Sequence, residues 1–184
     1  MSPISSIRHA RQASLAALAL AAFASLSAPA HAGQTVGTID LELNVTNACA
    51  VNGASSVQSD IGSAGKITFA DQPGTFASVD GQFVGSLGNL SILCSPGSTP
   101  VLTVGAGNHD SSGSHYLNSG TSNVAYRLFT DAARTDEITI GRQIALGTAT
   151  SAAIAIPIYA RATHTGSVLP AGKYTDTVQI VLTF

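Results

Sequence analysis

The C-terminal stretch of this chain constrains its fold more than any other. From Tyr174 to Phe184 it reads Y-T-D-T-V-Q-I-V-L-T-F, with Val178, Ile180, Leu182 and Phe184 on one face and Thr177, Gln179 and Thr183 on the other. Alternation with a period of two puts successive side chains on opposite faces of an extended chain, so the segment is expected to be a half-buried β-strand. An aromatic residue at the end of such a run is expected to be pinned into a sheet rather than left to fray. The strand's second edge then needs a cover.

The N-terminal end supplies a candidate for it. Residues 1–32 read as an export signal: Arg8 and Arg11, an apolar run from Leu15 to Leu26, and Ala30-His31-Ala32 as the small-x-small cleavage pattern. The apolar run falls short of the roughly 20 residues that a membrane helix needs, and no later run is longer, so no membrane span is expected after cleavage. The mature chain is expected to begin at Gly33. Its first residues, G-Q-T-V-G-T-I-D-L-E-L-N-V, alternate again, with Ile39, Leu41, Leu43 and Val45 on one side and Thr38, Asp40, Glu42 and Asn44 on the other. A lone strand ahead of a domain has no core of its own. Residues 33–46 are therefore set apart from the domain expected over residues 47–184.

That domain is long enough for one hydrophobic core and too short for two. The chain is rich in Thr, Ser, Val, Ile and Gly and has no tryptophan, a composition that suits strands and tight turns. Strand-like runs fall at Lys66 to Ala70, Leu87 to Cys94, Val101 to Gly105, Val124 to Thr130, Glu137 to Leu146, Ile154 to Ala160 and Lys173 to Phe184, separated by turn clusters. Such spacing predicts an all-β sandwich. Asp131-Ala132-Ala133-Arg134 is too short for more than a turn. The formal charge is −2, and losing Arg8 and Arg11 with the signal makes it more negative, so no basic surface for nucleic acid is expected.

Chemical signals are thin. Cys49 and Cys94 are the two cysteines, and in an exported chain an even pair is expected to form a disulfide rather than a metal site or a nucleophile. His109 and His115 flank Asp110-Ser111-Ser112-Gly113-Ser114, which reads as a solvated hairpin tip. Loops for hard cations carry several acids, and zinc ligands are spaced more tightly. His164 is a single loop histidine. Gly105-Ala106-Gly107 lacks the third glycine and the helix of a dinucleotide turn, and no Gly-x-Ser-x-Gly elbow is present. No catalytic residue, cofactor or metal is expected, and the chain does not read as an enzyme.

Several stretches together carry a resemblance. A-C-A-V-N-G at 48–53, G-K-I-T-F at 65–69, N-L-S-I-L-C at 89–94, V-A-Y-R-L-F-T-D-A-A-R-T at 124–135, I-P-I-Y-A-R at 156–161 and P-A-G-K-Y-T-D-T-V at 170–178 are similar to the spore coat protein U domain family, in family order. Within it the chain most resembles major pilin subunits of archaic, Csu-type chaperone-usher pili. It departs at Ala160, where the family usually has glycine.

The resemblance implies an incomplete immunoglobulin-like β-sandwich that lacks its last strand and is completed by a donated one. A periplasmic chaperone fills the resulting groove first. The extension of the next pilin subunit then replaces the chaperone as the fiber passes an outer-membrane usher to the surface of a Gram-negative bacterium, for attachment and biofilm formation. On this reading Ile39, Leu41, Leu43 and Val45 are the donated side chains, and Val178, Ile180, Leu182 and Phe184 line the acceptor groove. Two alternatives stay open: a secreted or coat β-sandwich that folds its own first strand into its own groove, and a minor or tip adhesin subunit.

Overall fold

The computed structural model describes residues 33–54 and 60–184, and the export signal expected over residues 1–32 lies outside them. The chain divides into two units, Met1–Leu43 and Asn44–Phe184. In the first, residues 33–43 are exposed and carry no secondary structure.

The described part of the second unit contains strands and no helix. In chain order the strands are β1 (Cys49–Val51), β2 (Lys66–Ile67), β3 (Ser78–Val84), β4 (Leu90–Cys94), β5 (Val101–Gly107), β6 (His115–Asn118), β7 (Asn123–Phe129), β8 (Glu137–Ile138), β9 (Gln143–Ala145), β10 (Ile154–Ile156), β11 (Tyr159–Thr163) and β12 (Val178–Thr183). All pair antiparallel, in sheets ordered β1-β4-β10, β2-β3-β11-β7-β6 with β8 also on β7, and β12-β5-β9. Alternation decides which side chains meet in the middle. Leu90 and Ile92 of β4, Leu102 and Val104 of β5, and Ala160 and Ala162 of β11 are buried in one core cluster. The fold is an all-β sandwich, as its turn-punctuated runs predict.

Cys49 and Cys94 form the expected disulfide. They sit directly opposite each other in the β1–β4 register. The Ser95 N–H donates to the Ala48 carbonyl at 2.8 Å, which makes 49 and 94 a pair without its own ladder bonds. Facing side chains approach most closely at such pairs, and the two sulfurs are within bonding reach there.

Two expected strands are each divided. The run Ile154 to Ala160 breaks at Pro157: β10 pairs with β4 in one sheet, while β11 pairs with β3 and β7 in another. Proline has no N–H for a ladder, so the switch between sheets falls on the residue that loses least by it. The run Glu137 to Leu146 breaks at a turn in which the Arg142 N–H donates to the Thr139 carbonyl at 2.9 Å and Gly141 takes a φ of 81°, a backbone conformation glycine adopts freely.

Three further strands, β1, β3 and β6, fall outside the expected runs. Asp80 and Gly81 interrupt the propensity of β3. There the Asp80 carboxylate accepts from Arg161 Nε at 2.7 Å across the sheet, and a Cβ on Gly81 would stand 2.8 Å from the Ile67 side chain. Packing against Ile67 thus requires a glycine at this position.

Candidate functional site

β12 is hydrogen-bonded along one side, to β5, and ends its sheet. Val178, Ile180 and Leu182 are half-buried and pack on the core, whereas Gln179, Val181 and Thr183 face outward. β2 likewise ends its sheet, paired only with β3. Among the described residues, neither strand has a ladder partner on its second side.

Between these two strands lies a cleft of about 780 Å³, with residues 60–67 along one wall and 176–181 along the other. Its floor is apolar and includes Phe83, Val104, Leu128, Ile158 and Ala160. Main-chain groups on an open edge seek partners, and apolar side chains beneath it seek cover. An extended segment with one apolar face supplies both at once.

The acceptor residues expected from sequence are not all placed alike. Val178 and Ile180 line the cleft. Leu182 packs on the core beyond it, and Phe184 follows the strand with 48% of its surface exposed. The opposite wall, with Ile61 and Ile67, was not anticipated. The G-K-I-T-F run marks a strand there, but nothing local says that the strand ends a sheet.

The expected donor residues Ile39, Leu41, Leu43 and Val45 are 85–91% exposed. Residues 33–48 form no strand despite their alternation, because alternation selects a face and only a neighbouring backbone makes a ladder.

The inner end of the cleft is polar. The Tyr126 hydroxyl donates to Asp176 Oδ2 at 2.6 Å, and the His109 backbone N–H donates to Asp176 Oδ1 at 3.2 Å. His109 Nδ1 lies 3.0 Å from that same oxygen. His115 Nδ1 sits 2.8 Å from Asp110 Oδ1, and the Gly107 N–H donates to Asp110 Oδ2 at 2.7 Å.

His115 is buried and stacks on Tyr126 with ring centroids 5.1 Å apart. Residues 111–114 form the exposed hairpin tip expected there, whereas the flanking His109 is bonded to Asp176 just ahead of β12 and His115 is buried. Asp176 is a carboxylate far away in sequence that folding brings beneath the loop. Burial first, then the Asp176 hydrogen bond and charge, push the Tyr126 phenol far above its ordinary pKa, so it remains a donor.

Asp110, His115 and Asp176 offer three potential metal-ligand atoms within 4.8 Å of one another. Every carboxylate oxygen among them already accepts or faces a hydrogen-bonding partner, which is the arrangement of a structural network. Both cysteines are in the disulfide and neither is free as a nucleophile. His164 is engaged through Nε2 with the Ser167 carbonyl at 2.7 Å. Among the described residues no helix is long and apolar enough to cross a membrane.

Comparison with known proteins gives one family: residues 35–181 match the Spore Coat Protein U domain. No curated protein sequence matches the chain. One similar solved structure is the CsuC-CsuE chaperone-tip adhesion subunit pre-assembly complex from archaic chaperone-usher Csu pili of Acinetobacter baumannii. It has a TM-score of 0.43 and 18% identity, covering 76% of this chain and 40% of that one. A chaperone-tip adhesin complex of CFA/I fimbriae biogenesis has a TM-score of 0.40 and 12% identity, covering 74% of this chain and 42% of that one. The chain thus spans less than half the length of the solved chains it matches.

Proposed function

The chain belongs to the Spore Coat Protein U domain family, and from that membership we propose that it is a structural subunit of a chaperone-usher pilus, polymerised by strand donation. Residues 1–32 direct export, residues 33–46 are the donor, and residues 47–184 are the acceptor domain. A periplasmic chaperone occupies the cleft before assembly, and the donor of a neighbouring copy occupies it afterwards, at an outer-membrane usher. The assembled fiber stands on the cell surface, as a major subunit serving attachment and biofilm formation.

One observation carries this reading. An apolar cleft lies between two strands that each end a sheet, in a chain whose other end carries an alternating apolar face left 85–91% exposed. Burying Ile39, Leu41, Leu43 and Val45 at about 1.5 to 3 kcal/mol each contributes about 6 to 12 kcal/mol. Each new ladder hydrogen bond adds about 1 kcal/mol net. A noncovalent fiber joined in this way is durable.

The test uses neighbouring positions on opposite faces. Leu41→Asp places a carboxylate in an apolar pocket, where it finds no partner. Electron microscopy should show no surface fibers from it, while the subunit still co-purifies with its chaperone, since that complex uses the cleft and not the donor. Asp40→Asn should keep its fibers. Wild-type fiber yield from Leu41→Asp would remove residues 33–46 from the donor role.

A further inference from the structure

Lys66 opens β2 on the rim of the cleft. It stands opposite Val84 in the β3 register, and Ile67 stands opposite Phe83. Cross-strand pairs share a face. Phe83 is buried and Val84 exposed, so Ile67 points into the core and Lys66 points out.

Among the described residues Lys66 and Lys173 have no ion pair, and of the two it is Lys66 that lines the cleft. Among the described residues Arg127 pairs with Glu137, Arg134 and Arg161 pair with Asp80, and Arg142 pairs with Asp136. Lys66 has no such acid. Asp60 on the same wall accepts instead from the Gly62 N–H at 2.8 Å. On the opposite rim Gln179 and Val181 carry no charge, and the acid of that wall, Asp176, is bonded to Tyr126 and His109.

A strand seated between β2 and β12 with its apolar face down turns its other face up, beside Lys66. In the segment with Ile39, Leu41, Leu43 and Val45 that face is Thr38, Asp40, Glu42 and Asn44: two acids between two neutral residues. Resting on the strand-donation reading, we propose that Lys66 fixes the register of the incoming strand by pairing with Asp40 or Glu42 of a second copy. A slip of one residue would turn the apolar face to water, a slip of two exchanges Asp40 and Glu42 in one direction and brings a neutral side chain in the other, and a slip of four places a neutral side chain beside the ammonium either way. The cation therefore narrows the acceptable registers to those that match its charge.

The experiment challenges the subunit–chaperone complex with a fluorescent synthetic peptide of residues 33–46 and measures the rate of strand exchange. The Lys66→Glu acceptor should take up the wild-type peptide about fivefold more slowly, and the deficit should shrink in high salt. One of the two peptides Asp40→Lys and Glu42→Lys should restore the rate on that acceptor, and the one that does so identifies the register. Should Lys66→Glu fail to form the chaperone complex, Lys66→Gln should exchange about twofold to threefold more slowly than wild type, with little salt dependence.

Unchanged rates, rescue by neither peptide, or equal rescue by both would overturn the register role. The two hypotheses separate through a Leu41→Asp peptide. If it exchanges as fast as wild type, strand donation itself fails. If it does not exchange while Lys66→Glu has no effect, donation stands and the role of Lys66 falls.

Discussion

At the inner end of the cleft one carboxylate, Asp176, gathers groups from separate parts of the chain: the Tyr126 hydroxyl and both the amide and the ring of His109. Tyr126→Phe keeps the ring stacked on His115 but removes a donor to a buried charged oxygen, which costs about 1.5 to 3 kcal/mol. Urea unfolding of the subunit filled with a peptide of residues 33–46 should show a lower midpoint at unchanged slope. Gly107→Ala should lower it at least as far, because the new Cβ would collide with Asp176 Oδ2 and stand 2.9 Å from Asp110 Oδ1. Sequence alone gives neither effect: the polar run after His109 reads as a loop tip, and its anchor is remote. A second carboxylate predicts the acid limb. The hydrogen bond from Arg161 holds Asp80 below its ordinary value of 3.8. A depressed folded pKa stabilises above the unfolded value and ceases to do so as pH falls through the folded one. Stability should therefore decline below about pH 4, and Asp80→Asn should flatten part of that decline in a pH series of unfolding midpoints.

At the scale of elements, the covalent frame is the clearest case of a feature legible from residues and compartment. The bridge between β1 and β4 closes a loop with a sequence separation of 45. In the chain-entropy account such a loop contributes about 4 kcal/mol by restricting the unfolded state. Alkylation without reductant should label no thiol in the mature protein, by mass spectrometry. Reduction, or a Cys49→Ser and Cys94→Ser pair, should lower the unfolding midpoint sharply. Two labelled thiols in the native protein would remove the bridge from the account. Strand position was legible where β-branched and apolar residues alternate, as in β5, β7 and β12. Legibility ended where tertiary contacts overrode local preference. Asp80 and Gly81 look like a turn and form the middle of β3, because Arg161 pairs with one and Ile67 packs over the other. Pro157 sits inside a continuous apolar run and divides it between two sheets. One wall of the cleft was readable from the β12 alternation. The other was not, since which strand ends a sheet is a property of pairing and leaves no mark on the two residues of β2.

At the scale of the whole molecule, the proposal gives each chain one donor and one acceptor on different surfaces, and this asymmetry dictates the kind of polymer. A head-to-tail contact whose rotation does not close produces an open filament rather than a ring. The mature subunit lacking residues 33–46 keeps its cleft and loses its donor, so it can receive a strand and cannot give one. Such a subunit can occupy only the end of a fiber that needs no donor, the first position assembled. Co-expressed with wild type, it should raise the number of fibers and shorten them, and gold labelling of an epitope on the truncated form should mark at most one site per fiber, at the tip. A labelled subunit found repeatedly along the shaft would mean that assembly does not depend on residues 33–46. The same truncated subunit also separates polymerisation from self-completion. A chain that filled its own cleft would leave no acceptor for a neighbour, and the truncated form would then be excluded from fibers while remaining a substrate for the peptide of residues 33–46. Incorporation at the tip requires instead that the cleft be filled by another copy.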